Sequence, residues 1–208
     1  VKEAAHHSFL YYNKDNPELS DYEYDQLTQR IKRIEADHPD WVVTESPTQH
    51  VGGEAVLEGA KKVQHRVQLA SLNDLFSIED VKEWYNSIGA PEMTSVQQKI
   101  DGLSMAAIYR NGILVQAATR GDGFVGEDVT ENAKSIDGIP LAINIPEDAG
   151  VDKENTIAVR AEVYMPVEEF ERVNAELEQE GKKLFANPRN CAAGSLRVKD
   201  AKVTASRK

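Results

Sequence analysis

Cysteine is almost absent from this 208-residue chain, with Cys191 its only thiol. A single cysteine excludes an internal disulfide and a four-cysteine zinc site within the chain, and it fits a reducing, cytoplasmic setting. Basic side chains are the minority, 24 Lys and Arg against 35 Asp and Glu, giving a formal net charge of -11. A surface built to grip duplex DNA carries the opposite sign, so any grip on nucleic acid must come from a local patch or from elsewhere in a larger protein. No apolar run approaches the roughly 18 residues of a membrane span, which argues against a membrane partner. The opening residues, VKEAAHHSFLYYNK, lack a methionine and any signal-peptide region and read as the interior of a helix. The chain is therefore expected to be a fragment of something longer. Its length suits one good-sized domain, or a large domain plus a small one.

What is present divides by periodicity. Ser20 and Glu23 form a capping-box pattern, after which Tyr24, Leu27, Ile31 and Ile34 recur at helical spacing until Pro39. With the helix before Asn13 this predicts an αα-hairpin. Residues 41–59 read as loop, and the domain boundary is expected near Lys62 to His65: a helical module over 1–64, a second domain over 65–208. Ser77 to Asp80 opens another helix with Val81, Trp84, Tyr85 and Ile88 on one face. VQQKI and LSMAAIYR read as strand, Asn111-Gly112 as a two-residue hairpin turn, and ILVQAATR as the return strand. TIAVRAEVYM is a further strand. A helix from Val167 follows, carrying Phe170, Val173 and Leu177 and ending at Gly181, and Asn187-Pro188 starts another. The fold class is α+β with antiparallel sheets, and the second domain is expected to be incomplete at its C-terminus.

Two motifs carry chemistry. Gly121, Gly123 and Gly126 spell G-x-G-x-x-G, yet a dinucleotide-binding turn needs a parallel βαβ unit and an acid about 20 residues later. Here the preceding strand is the return arm of a hairpin, and Glu127, Asp128 and Asp137 come too early. An EF-hand fails as well, because its ligand positions are not matched. A glycine-rich hairpin exit is the simpler reading, with Arg120 at its entrance as a phosphate or ribose clamp beside the glycine amides. The second motif, QKIDGLS, puts Lys99 and Asp101 two apart on one face of an expected strand, with Gly102 permitting close backbone approach by a ligand. A lysine attacks only as the free amine, on the order of 0.1% of the population at neutral pH for an ordinary pKa, so a nucleophilic role needs neighbouring cations, burial or help in losing the proton.

K-x-D-G resembles the first motif of the covalent nucleotidyltransferases, and its surroundings resemble the NAD-dependent bacterial DNA ligases. The likeness runs through YYNKDNPELSDYEYDQL, ESPTQHVGG, ASLNDLFS, QKIDGLS, AATRGDGFVGEDVTEN, VRAEVYMP and FANPRNCAAGSLR, in that order. It implies an enzyme in which Lys99 attacks the α-phosphate of NAD, releases nicotinamide mononucleotide (NMN) and holds AMP as a phosphoramidate, with Mg²⁺ as charge partner. Asp101 would contact the ribose or orient the site. Ser71 and Leu72 match the adenosine-contacting segment, and Arg120 and Glu162 match residues that bind the nucleotide. Tyr11, Asp21, Tyr24 and Asp25 match residues that hold the NMN half, where rings and carboxylates suit a cationic nicotinamide. Arg189 and Arg197 match arginines near the phosphates and the nick in double-stranded DNA. Lys182, Lys183, Lys199, Lys202, Arg207 and Lys208 lie in the same stretch, which makes the C-terminal quarter the least acidic part of the chain. The resemblance further implies a monomer in the bacterial cytoplasm, acting in DNA replication and repair, with Zn²⁺ bound outside this segment.

Three features depart from the family pattern. Gln97 stands where a glutamate contacting adenine is usual, and Ala161 replaces the glycine of R-G-E, where an added methyl would crowd a backbone that needed positive φ. The chain also stops at Lys208, ahead of later lysine motifs and the OB-fold, zinc, helix-hairpin-helix and BRCT segments, so alone it is not expected to seal nicks. A degenerate or truncated NAD- or NMN-binding module without ligase activity is the alternative that these departures motivate.

Overall fold

The computed structural model describes residues 1–208 apart from 15–16, 44–45, 50–59, 71, 73, 147–154 and 208, and apart from the side chains of 12–14 and 21. It divides into two compact units, one built from Val1–Leu69 with Asp101–Lys208, the other from Ala70–Ile100.

In the first unit, helix α1 spans Lys2–Lys14 and α2 spans Asp21–Asp37. The capping box forms as expected: Ser20 Oγ accepts from the Glu23 amide while the Glu23 carboxylate accepts from the Ser20 N–H at 2.9 Å. Those bonds hold the Glu23 carboxyl below its ordinary value. Ile31 is the buried centre of the α2 stripe, and Ile34 at its end is exposed. A 3₁₀ turn over Pro39–Trp41 stops the run where proline removes a donor.

The sheets follow from the hairpin signal. Strand β2 (Leu103–Arg110) turns through Asn111 (φ 50°) and Gly112 (φ 78°) into β3 (Ile113–Thr119), the two positive φ values that a type I′ turn requires. Strand β5 (Thr156–Val163) adds to the other side of β2, so the order is β3-β2-β5 and both pairings are antiparallel. A short second sheet pairs β1 (Lys62–Gln64) with β4 (Val125–Glu127), so from Lys62 onward the chain is held by sheet pairing. Alternation along β2 sends Met105, Ala107 and Tyr109 into a core with Leu114, Ala117, Val129 and Leu196.

Among the described residues, four short to medium helices follow β4 in the chain. Short α4 (Thr130–Ala133) follows β4, α5 spans Val167–Gln179 and α6 spans Pro188–Leu196, with α7 (Ala201–Ala205) last. Helix α5 ends in a Schellman arrangement: Gly181 takes φ 65° and the Lys182 amide returns to the Leu177 carbonyl at 2.9 Å. Asn187 caps α6 by accepting from the Asn190 amide at 2.8 Å, ahead of Pro188. Helices α5 and α6 pack through Val173, Met165, Cys191 and Ala192, so the lone cysteine is core. Among the described residues no helix is long and apolar enough to cross a membrane.

The second unit holds α3 (Ile78–Ser87), started by the Ser77/Asp80 capping box. Its expected apolar stripe exists, but α3 has no buried residue, and Val81, Trp84 and Ile88 are each more than two-fifths exposed. The larger difference concerns 96–100, expected as strand and found outside any strand. A strand needs a neighbour to bond to, and β2 begins only at Leu103, where β5 supplies one.

Gly112→Ala is expected to cost about 2–3 kcal/mol, because the turn needs its positive φ and a Cβ there would lie 2.4 Å from the Ile143 carbonyl oxygen. Gly138→Ala, which meets nothing within 4 Å, is expected to stay within about 0.5 kcal/mol. Urea unfolding of the two variants side by side measures the difference.

Candidate functional site

The face of β2 turned away from the core carries Ser104 and Ala106. Register sets Ser104 against Glu162 and Ala106 against Arg160, so the four share one face across β2 and β5. Ser104 Oγ donates to Glu162 Oε2 at 2.6 Å. On the other side, Arg120, one residue past the end of β3, donates its backbone N–H to the Ser104 carbonyl at 2.9 Å. Arg120, Ser104 and Glu162 therefore form a row across the three strands. Two of these were expected as nucleotide ligands; Ser104 was not singled out, because only the register places it between them.

Gly102, next to this row, was expected to let a ligand approach. The backbone that comes close is β5's own: a Cβ on Gly102 would lie 2.2 Å from the Val163 carbonyl oxygen. The Gly102 carbonyl in turn accepts from Arg189 Nε at 2.9 Å, and the same nitrogen lies 3.5 Å from Asp101 Oδ1. Arg189 Nη1 donates to the Tyr11 hydroxyl at 2.8 Å, with the guanidinium 5.3 Å from that ring's centre. One arginine on α6 thus joins α1 to the D-G of the lysine motif.

The glycine loop proves to be a hairpin exit, as the simpler reading had it. A Cβ on Gly121 would fall 1.8 Å from the Val125 carbonyl oxygen, and one on Gly126 1.8 Å from that of Thr119. The amides of Gly123, Phe124 and Val125 are spent within the loop. Phe124 and Val125 donate to Asp122 Oδ1 at 2.8 and 2.7 Å, and Gly123 donates to the Arg120 carbonyl at 3.0 Å. The Val125 amide, then the Phe124 amide, hold the Asp122 carboxyl below its ordinary value against the opposing effect of burial. His65 fastens the exit from outside. Its Nε2 lies 3.0 Å from the Thr119 carbonyl oxygen and 3.2 Å from that of Arg120, and since carbonyls only accept, the ring donates there.

Arg197 is held differently from Arg189. Its Nε and Nη2 donate to both carboxylate oxygens of Glu127 at 2.6 and 3.0 Å, and the Glu127 side chain is 7% exposed. This bidentate pair lines a cavity of about 260 Å³ with Asn132, Leu196 and Lys199. Asp128 lies beside it; burial alone would raise its carboxyl, but bonds from Thr130 and Lys61 outweigh that and hold it low.

Of the remaining expected site residues, Tyr24 is half-buried and Asp25 exposed on α2, while Asp21 opens that helix with its side chain outside the described set. Lys99, Gln97 and Leu72 belong to the 70–100 unit and are all exposed, with Gln97 Nε2 donating to Ser95 Oγ at 3.3 Å. Ser71 lies outside the described residues. Ala161 takes no positive φ; it pairs with Met105 and packs against the sheet core, so the extra methyl has a place. Among the described residues no three His, Cys, Asp or Glu side chains gather as metal ligands.

The K-x-D-G motif in the sequence and an antiparallel sheet that aligns an arginine with a glutamate are both compatible with the covalent nucleotidyltransferase class. Comparison with known proteins narrows it. Residues 58–208 match the family described as the NAD-dependent DNA ligase adenylation domain, and residues 1–52 match the DNA ligase-like, N-terminal NAD+-binding domain. The chain belongs to the NAD-dependent DNA ligase family. It is 48% identical over 208 residues to a DNA ligase of Caldicellulosiruptor bescii, covering 98% of this chain and 30% of that protein. A DNA ligase of Acetivibrio thermocellus is 46% identical over 98% of this chain and 30% of its own length. One from Listeria monocytogenes is 45% identical over 97% and 29%. The chain thus spans about 30% of the length of the curated relatives it matches.

Removing either partner of the Glu127–Arg197 pair leaves the other charge largely buried. Glu127→Ala and Arg197→Ala are each expected to cost about 3–5 kcal/mol, and the double variant clearly less than their sum. Urea unfolding of the cycle measures the coupling; additive losses would show that the two side chains act independently.

Proposed function

We propose that this chain is the front part of an NAD-dependent DNA ligase, comprising an NMN-holding helical module over 1–64 and part of an adenylation domain over 65–208. In the first step the Lys99 amine, having lost a proton, attacks the α-phosphorus of NAD. An N–P bond forms, the bridging P–O bond breaks, and its electron pair leaves with NMN. AMP stays on Lys99 until the full-length protein passes it to the 5′-phosphate of a nicked duplex, where the 3′-hydroxyl then displaces it. Little covalent work falls to the protein in such a transfer; alignment and charge neutralisation supply most of the acceleration.

The observation that carries this reading is the row Arg120, Ser104, Glu162, which brings a cation 16 positions and an anion 58 positions away in sequence from Ser104 into one line with it. In the proposal Glu162 takes the nucleotide's hydroxyls and Arg120 its phosphate end. Asp101 orients the site, Leu72 and Ser71 border the adenosine, and Gln97 meets adenine through an amide that both donates and accepts. Tyr11, Asp21, Tyr24 and Asp25 receive the NMN half. Arg189 bears on the phosphates through its neighbours Asp101 and Gly102; Arg197 meets the nick only if its bond to Glu127 opens. Mg²⁺ would serve as charge partner to the NAD phosphates. Zn²⁺ belongs to segments beyond this chain, and the setting is a monomer in the bacterial cytoplasm working in replication and repair.

Incubating the full-length protein with NAD and Mg²⁺ is expected to add one AMP by intact mass, and Lys99→Ala to abolish the adduct. An adduct at full yield in Lys99→Ala would overturn the assignment.

A further inference from the structure

We propose that Ser104 is a positioning residue for nucleotide binding, its hydroxyl holding the Glu162 carboxylate in the orientation that receives the nucleotide; this rests on Glu162 being a nucleotide ligand. Glu162 is exposed, and a glutamate on a strand surface is free to sample several rotamers in water. Ser104 removes that freedom at one oxygen. The bond to Glu162 Oε2 is 2.6 Å, within the short range of an O–H donor facing a charged acceptor.

The donor is itself fixed. Ser104 sits on the middle strand, its register partner is Glu162, and its carbonyl accepts from the Arg120 N–H. A hydroxyl has one proton to give, so directing it at Oε2 leaves Oε1 as the oxygen free to accept from a ligand. An alanine would keep the strand and the register, as Ala106 does two residues on, and would lose only this restraint. The effect should therefore appear in binding and leave stability alone.

The experiment is NAD-dependent self-adenylation of the full-length protein with Ser104→Ala, Ser104→Thr, Glu162→Ala and the Ser104→Ala/Glu162→Ala pair. Ser104→Ala is expected to raise KM for NAD by about 3- to 10-fold with kcat within about twofold and an unchanged melting temperature. Ser104→Thr, which keeps the hydroxyl, is expected to recover most of the loss, and Ser104→Ala to add nothing once Glu162 is gone. If Glu162→Ala raises KM while Ser104→Ala does not, the positioning role is overturned and the reading of Glu162 stands. If Glu162→Ala leaves KM unchanged, the reading of Glu162 fails and the proposal with it. A KM rise in Ser104→Ala that threonine does not recover and that comes with a lower melting temperature would mark a structural role and also overturn it.

Discussion

Everything near the candidate site hangs on one strand being paired on both sides. Strand β2 bonds to β3 through a hairpin and to β5 across a long excursion of chain, and it is this double pairing that turns sequence-distant residues into neighbours. On the inner face it closes a core of small and medium side chains, Met105, Ala107 and Ala117 among them. On the outer face the same register aligns Arg120, Ser104 and Glu162. A one-residue slip of β2 would exchange its two faces, turning Ser104 inward and exposing Met105, so the core that stabilises the sheet also fixes the site.

Close backbone approach is the second theme. The glycines of this segment read at first as room for a phosphate, and the structure gives most of that room to the protein itself. Gly102 makes space for the Val163 carbonyl, and Gly121 and Gly126 make space for Val125 and Thr119. The G-x-G-x-x-G spelling thus reports a tight return from β3 into β4, braced by Asp122 inside and His65 outside. Arginines divide in the same way: Arg189 is spent on joining α1, α6 and the lysine motif, and Arg197 on a buried carboxylate.

Local signals in the sequence were read well where the physics is local. The Ser20 and Ser77 capping boxes, the Asn111-Gly112 turn and the Asn187-Pro188 helix start each depend on a few adjacent residues, and each forms. Where pairing with a distant segment decides, the sequence was a weaker guide. Residues 96–100 are expected as strand yet lie in none, and Ala161, expected to crowd its backbone, lies in ordinary strand backbone and packs against the core. Nothing short of the β2–β5 register couples Ser104 to Glu162. Glu127 comes too early for the acid of a dinucleotide fold, and its bond with Arg197, 70 residues away, is visible only in three dimensions.

In the proposed function the outer face of the β3-β2-β5 sheet is a nucleotide seat whose two ends are Arg120 and Glu162. A crystal structure of the full-length protein with NAD tests it most directly. The adenylate half is expected against this face, with the Arg120 guanidinium and the Glu162 carboxylate each within hydrogen-bonding distance of it and Ser104 still bonded to Glu162. A nucleotide bound with neither side chain in contact would contradict it.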